Sequence, residues 1–469
     1  MRLIFTIFLL IVPIAGVASA QEKSWVGKTI MVKRIGIKID GDKQLEIATL
    51  EEAAYKVLED KDDRLKVKTR SGVVGWFDKD DAVRLEDAVA YFTQRIEDNA
   101  KDVSALYFRG VAWGMRGDPD KAIKDFSEAI RLNPVAMLFN NRGIAWLKKM
   151  NVDKAIADFS KAIDLDPRGM ENHALRGGCW VLKKEYDKAI ADFDEAIHLQ
   201  PKNAGLYVSR GVAWREKNNA DKAIGDFSQA IQLQPSVGAH RLRAEVWLYT
   251  KRDFDKAIAD YDAMIKLDPK TLDAFEGRGN AWMGKKEHDK AITDYTEAIR
   301  LEPKNGYAYQ LRGGAWSAKK DYEKAIADYN EVIRINPKYS RVYLNRGFAL
   351  SRNKQYEKAL ADYKEVIRLD PKYSQGYNGV AWLLATAPDE KLRDGKQAVE
   401  LAKKAIELEP KRAAWFGDTL AAAYAELGNF DEAVRLQERA LEDPLLKDDA
   451  EAKQRLELYR KKMLYRQQQ

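Results

Sequence analysis

The chain has 469 residues, 45% hydrophobic and 33% charged, which excludes a disordered polymer. Its 80 basic and 73 acidic residues leave a formal charge of +7, too evenly mixed to single out nucleic acid or an anionic membrane as a partner. One cysteine, Cys179, excludes an intramolecular disulfide.

Residues 1–20 begin with Arg2, continue through an apolar run over residues 3–14, and end in the small residues Ala18-Ser19-Ala20. That order predicts a signal peptide with Gln21 as the mature start. The run is short for a bilayer span, and no later stretch is apolar enough for one, so no transmembrane segment is expected after cleavage. The expected localisation is periplasmic or secreted.

Residues 21–84 carry a two-residue period. Trp25 to Lys33 alternates in part, Arg64-Leu65-Lys66-Val67-Lys68-Thr69 alternates cleanly, and Val73-Val74-Gly75-Trp76-Phe77 comes after the turn Arg70-Ser71-Gly72. Tyr55-Lys56-Val57-Leu58 precedes the pair, with residues 59–63 expected as its polar turn. The order of these strands and the Gly75-Trp76 pair resemble a bacterial SH3-like domain. The resemblance implies a small β-barrel that binds peptides or cell-wall material. Trp25 and Trp76 serve equally well as core residues of a spacer.

From residue 85 the period lengthens. Residues 85–101 read as a capping helix at the head of a long periodic stretch. Within that stretch Pro134, Pro167, Pro201, Pro235, Pro269, Pro303, Pro337 and Pro371 recur at steps of 33 or 34 residues, which predicts a solenoid of small helical units. Each unit has a first helix with R-G-x-A-W, as in Arg210-Gly211-Val212-Ala213-Trp214. A second helix comes next, as in residues 187–197, where Ala189, Phe193, Ala196 and Ile197 form one buried stripe. Asp120, Asp153, Asp187, Asp221 and Asp255 favour the start of the second helices.

The small residue, the large aromatic, the alanine slot, the second aromatic and the closing proline resemble the tetratricopeptide repeat. The resemblance covers ten copies over residues 102–444. It implies a mainly α chain, a helix-turn-helix superhelical solenoid whose first helices line a concave face that binds protein or peptide segments. Residues 445–469 are expected to supply a charged capping helix with Arg460, Lys461, Lys462 and Arg466 on a solvated face. Copy nine is longer, with its extra residues at 387–395, a connecting loop or part of a working face.

Eight copies place arginine before the glycine slot: Arg109, Arg142, Arg176, Arg210, Arg243, Arg278, Arg312 and Arg346. The same eight carry Asp125, Asp158, Asp192, Asp226, Asp260, Asp294, Asp328 and Asp362. In copies nine and ten both are lost together, to Asn378 and Leu401 and to Leu420 and Leu436. Joint loss predicts that the two pair, guanidinium to carboxylate, as a ladder through the stack.

Nothing in the chain is spaced for catalysis. His173, His198, His240 and His288 are scattered over different copies, and no phosphate loop or nucleophile elbow occurs. Cys179 occupies an alanine slot and is expected buried. The expectation is a binding protein with no cofactor and no metal. By resemblance, the residues free to meet a partner begin with Tyr107, Val111, Asn140, Ile144, Leu147 and Val181. They continue with Arg215, Arg241, Glu245, Glu276 and Asn280, and then with Tyr307, Gln310, Arg341, Leu344 and Phe348. An apolar start, a charged middle and an aromatic later part suit an extended peptide or a helix. Asn140, Asn141 and Asn345 do not assemble the lysine-and-asparagine clamp that holds chaperone tails. Two readings remain: an exported scaffold that binds protein segments on the repeats, or a cell-envelope module whose head binds peptidoglycan with the repeats as an arm. A regulatory subunit of an exported enzyme is a third.

Overall fold

The computed structural model describes residues 25–34, 37–41, 47–50, 53–69, 72–444 and 446–467. The expected signal peptide, the start at Gln21 and the turn residues Arg70 and Ser71 lie outside them. Two compact units divide the chain, Met1–Pro235 and Ser236–Gln469.

Among the described residues the first unit has eight short strands: β1 Thr29–Val32, β2 Ile37–Gly41, β3 Ile47–Leu50, β4 Ala54–Lys56, β5 Glu59–Lys61, β6 Arg64–Lys68, β7 Val74–Asp78 and β8 Ala82–Arg84. They form two antiparallel sheets, one ordered β4-β1-β8 and the other β3-β2-β7-β6-β5. The alternation in β6 does what its period requires, with Leu65 and Val67 buried opposite Phe77 and Gly75. Residues 59–63 are not a polar turn. Glu59–Lys61 is a strand paired to β6, and only Asp62 and Asp63 turn, with Asp62 in the left-handed region at φ 51°. The reason is Asp60, whose carboxylate accepts from the Trp25 backbone N–H at 2.7 Å and from Lys79 Nζ at 2.7 Å. The β2–β3 hairpin is an addition that the sequence reading did not mark.

Among the described residues, nine α-helices complete the first unit: α1 Leu85–Asp98, α2 Val103–Met115, α3 Pro119–Leu132, α4 Ala136–Lys148, α5 Val152–Leu165, α6 Met170–Leu182, α7 Tyr186–Leu199, α8 Ala204–Glu216 and α9 Ala220–Leu233. The strands and the first helices share one apolar core. Ile30, Met31 and Leu65 belong to the same buried cluster as Ala88, Phe92 and Phe108. Phe92 of α1 stacks on Phe108 of α2 at 5.2 Å, so α1 packs on the first repeat.

The second unit continues the pairs: α10 Val237–Glu245, α11 Phe254–Leu267, α12 Leu272–Gly284, α13 His288–Leu301, α14 Gly306–Ala318, α15 Tyr322–Ile335, α16 Ser340–Arg352, α17 Tyr356–Leu369, α18 Ser374–Thr386, α19 Gly395–Leu408, α20 Ala413–Glu426, α21 Phe430–Ala440 and α22 Ala450–Arg460. Helix α22 stops at Arg460, so Lys461, Lys462 and Arg466 lie beyond it. The chain turns at left-handed Lys462 and runs back, and Arg466 meets Glu426 at 2.7 Å instead of standing in solvent. No described helix is long and apolar enough to cross a membrane.

The glycine slot is filled from within its own repeat. A Cβ at Gly143 would lie 2.7 Å from Cε1 of Phe159, and one at Gly313 would lie 2.7 Å from Cε1 of Tyr329. The ring of the second helix therefore lies directly on the backbone of the first. The tryptophan one turn away is half-buried beneath a lysine of the following helix, as with Lys154 over Trp146 at 4.2 Å and Lys324 over Trp316 at 4.3 Å. Most first helices end on a left-handed residue that is not glycine, among them Lys184, Asn218 and Lys320. The next amide then bonds back to the tryptophan carbonyl, as Asp321 N does to Trp316 at 3.0 Å.

Each of the eight arginine–aspartate pairs forms, and the aspartates are buried. The fork is bidentate and lies inside one repeat. Arg142 Nε and Nη2 donate to Asp158 at 2.8 and 2.7 Å. The link to the neighbour is made by the remaining nitrogen. Nη1 of Arg142 donates to Ser127 at 3.1 Å, that of Arg176 to Ser160 at 3.0 Å, and that of Arg346 to Asn330 at 2.7 Å. In place of the lost pair at the end of the array, Asp418 of α20 takes both Arg455 of α22, at 2.9 Å, and Gln437 of α21, at 2.6 Å.

The fifth repeat departs from the pattern. Its arginine and aspartate, Arg243 and Asp260, stand 17 residues apart where the others stand 16. The extra residue is absorbed as a π-helical turn over Val246–Lys251, which leaves Tyr249 66% exposed.

Candidate functional site

In the first unit, the first helices of successive repeats frame a cavity of about 630 Å³. Four of the expected partner residues line it: Tyr107 and Val111 from α2, Asn140 and Ile144 from α4. Ala53 and Ala54, before and within β4, border it as well. Asn140 Nδ2 donates to Asn172 Oδ1 of α6 at 2.6 Å, so its amide is held in place. Tyr107 is not free to meet a partner. It is 8% exposed, belongs to the apolar core that joins the β-strands to the helices, and has its ring 5.1 Å from that of Phe108. Burial, with the Tyr55 hydroxyl nearby, pushes its phenol up to about 12. Leu147 and Val181 also pack against buried clusters between repeats, and Arg215 is half-buried and turns to Glu216 at 3.1 Å.

In the second unit, Asn280 is a hub. Its Oδ1 accepts from Tyr295 Oη at 2.8 Å, and the hydroxyls of Tyr249 and Tyr307 also reach its side chain. Glu276 beside it accepts from Asn305 Nδ2 at 2.8 Å, and burial pushes its carboxyl above the usual range. Arg241 stands 3.6 Å from Glu245 and 3.9 Å from Asp273. Tyr249 belongs in this group only because the π-turn brings it there. Gln310 is half-buried and Arg341 exposed.

Leu344 and Phe348 of α16 line a second cavity, of about 490 Å³. Phe348 is 50% exposed, and Trp415 across from it is 38% exposed. Ser351, Trp382, Asp418 and Arg455 complete much of the wall, together with Tyr465 and Gln467 from the returning tail. The sequence reading missed these. Ser351 stands four residues after the glycine slot of its copy, and Asp418 three before the corresponding slot in copy ten. The same offsets, carried through every copy, would have found both. Tyr465 and Gln467 had no local signal.

Cys179, His173 and His240 are packed. The Cys179 thiol is buried and pushed up to about 12 by that burial. His240 Nδ1 meets Asp260 at 2.8 Å, and His173 Nε2 meets the Pro167 carbonyl at 3.2 Å. Among the described residues no three histidine, cysteine or carboxylate side chains are grouped to hold a metal ion. What the first-helix faces offer is shape, aromatic surface and fixed polar groups.

Family models for the tetratricopeptide repeat match residues 80–134, 116–169, 183–238 and 248–306, and others of the same kind match 317–354, 340–373 and 418–443. Three solved structures similar to this chain are the following. Yeast Tom70 is 17% identical, with 77% of this chain and 96% of its own covered at a TM-score of 0.39. The C-terminal part of a TPR repeat-containing protein from Cytophaga hutchinsonii is 20% identical, covering 51% and 97% at 0.44. A tetratricopeptide repeat protein from Parabacteroides merdae is 17% identical, covering 53% and 98% at 0.40. A search of curated proteins gives no match.

Proposed function

The chain belongs to the tetratricopeptide repeat family, and on that footing we propose that it is an exported, non-catalytic scaffold that holds protein segments against its first helices. The repeat fold supports interaction between proteins. The observation that carries the reading further is the pair Phe348 and Trp415, two large half-exposed rings facing one cavity. Rings left open in a concave, partly polar wall are the usual anchors of a bound segment. Export rests on the order of residues 1–20 alone.

The test is a photo-crosslinking amino acid placed at Ile144 or Phe348, and in parallel at Lys161 on the exposed side of α5. Discrete adducts from positions 144 and 348, but not 161, support the scaffold. The same pattern from all three, or none from any, refutes it. Fractionation with N-terminal sequencing tests export: mature protein outside the cytoplasm starting at Gln21 is expected, and an uncleaved cytoplasmic chain sinks that part.

The β-rich head resembles an SH3-like domain in strand order, but its tryptophans do not favour a cell-wall role. Trp25 lies under Lys79 and Arg84, at 5.3 and 5.1 Å, and Trp76 under Lys66 at 5.5 Å. Both rings are thus used inside the protein.

A further inference from the structure

Residues 463–467 make contacts that the closing helix does not need. Helix α22 already seals the last repeat, with Leu456 and Tyr459 buried and Arg455 forked onto Asp418. After the turn at Lys462 the chain recrosses the array to residues 81 to 116 positions earlier. It lands on the first helices of copies eight and nine, at the cavity that holds Leu344 and Phe348.

Three consecutive side chains make the contacts. The Tyr465 ring lies 5.9 Å from that of Trp382, and the Arg455 guanidinium stands 5.3 Å from one ring and 5.2 Å from the other. Arg466 pairs with Glu426 at 2.7 Å. Gln467 uses its amide N–H and its side chain. The N–H donates to the Thr386 carbonyl at 3.0 Å, Nε2 donates to Thr386 Oγ1 at 2.9 Å, and Oε1 accepts from Ser351 Oγ at 3.1 Å. Met463 and Leu464, between the helix and these anchors, are 52% and 40% exposed. A segment laid on core would bury its apolar members and leave its polar ones in water. This one does the reverse, which is how a short peptide with specific side chains sits in a groove.

We infer that this groove is a peptide-recognition site, held in the free protein by the chain's own residues 465–467, and that a partner enters by displacing them with an extended segment in which an aromatic residue is followed by arginine and then by an amide side chain. The partner's ring takes the place on Trp382 and Arg455, its arginine the place on Glu426, and its amide the place between Thr386 and Ser351. The inference rests on the scaffold reading and adds what the scaffold recognises. The tail then acts as an internal competitor, lowering apparent affinity by the fraction of time it occupies the groove.

The experiment uses a fluorescent peptide of residues 461–467, KKMLYRQ, and tracks anisotropy against the full chain and against a chain ended at Arg460. Saturable binding to the shortened chain, weaker by about tenfold or more to the full chain, is expected when the resident tail fills the groove most of the time. Peptides carrying Tyr465→Ala or Arg466→Ala should each lose about tenfold. A shortened chain that keeps its circular dichroism and melting midpoint yet does not bind the peptide overturns the inference. So does equal binding to both chains. If shortening unfolds the protein, the full-length Tyr465→Ala, Arg466→Ala variant decides. Peptide binding to it supports the inference, while failure to fold or to bind makes the tail a structural seal and overturns it. Crosslinked adducts at Phe348 with no peptide binding would leave the scaffold standing and remove only this site. Peptide binding with no adducts anywhere would do the opposite.

Discussion

Removing one partner of the Arg210–Asp226 fork should cost far more than removing both. Arg210 Nε and Nη2 donate to Asp226 at 2.9 and 2.7 Å, and the aspartate is 6% exposed. The hydrogen bond to Asp226 holds the guanidinium well above its ordinary range, so Arg210 stays charged at any working pH. Arg210→Leu leaves a buried carboxylate with no counter-charge, which costs about 3–5 kcal/mol. Asp226→Leu is milder, about 1–3 kcal/mol, because Arg210 keeps its Nη1 bond to Asp194 at 2.6 Å. With both replaced, apolar packing offsets the lost pair and the net cost falls to about 0–1 kcal/mol. The coupling is then on the order of 3–8 kcal/mol. A solenoid need not unfold in one step, so a global midpoint would blur the effect. Native-state hydrogen exchange in α8 and α9 reads it locally, where a loss of about 3 kcal/mol shows as roughly hundredfold faster opening. Additive single and double variants would refute the pairing, and unchanged protection in all three would refute its energetic weight.

Two glycine-to-alanine changes should have opposite signs. Gly313→Ala drives a Cβ to within 2.7 Å of the Tyr329 ring and should cost about 1–3 kcal/mol, whereas Gly225→Ala on α9 meets open space and should gain up to about 1 kcal/mol. Thermal melts of the two variants decide, and a shift in the same direction contradicts the packing argument. Lys320 is held at φ 65°, so Lys320→Gly should stabilise by about 0.5–1 kcal/mol, read as slower exchange at the end of α14. With a thiol pKa of about 12, Cys179 is thiolate in only about one molecule in ten thousand at pH 8. It should resist alkylation in the folded protein and react at once in urea, and rapid labelling without denaturant would show that the site is open.

The array was legible because its signal is repeated. A 34-residue period, a glycine facing an aromatic and an arginine lost together with its aspartate each recur often enough to be read from residue types alone. The single events were not legible. The π-turn hides because Pro235 and Pro269 keep the usual spacing: the stretch before Arg243 is one residue short and the stretch after it one residue long. Tyr107 was misplaced because an offset along a helix says which face a residue takes, not that the β-rich head belongs to the same core. The tail reads KKMLYRQ, basic and polar, and its partners Thr386 and Ser351 are too far away in sequence for any local pattern to reveal. Strands β2 and β3 were missed for a smaller reason, since Ile37-Lys38-Ile39 does alternate, but over too short a run to stand out.

Within the first unit, the third nitrogen of each paired arginine gives the array a direction in time. Thr93, Ser127, Ser160 and Asp194 each wait on an arginine 15 or 16 positions further on: Arg109, Arg142, Arg176 and Arg210. A chain leaving the ribosome therefore always ends in a repeat whose second helix is not yet latched, and each newly made repeat locks the one before it. The same order run backwards describes unravelling, in which losing one repeat frees the latch of its predecessor and of no other. Copies nine and ten stand outside this succession. Arg455, supplied by the last helix, closes that end in a single step.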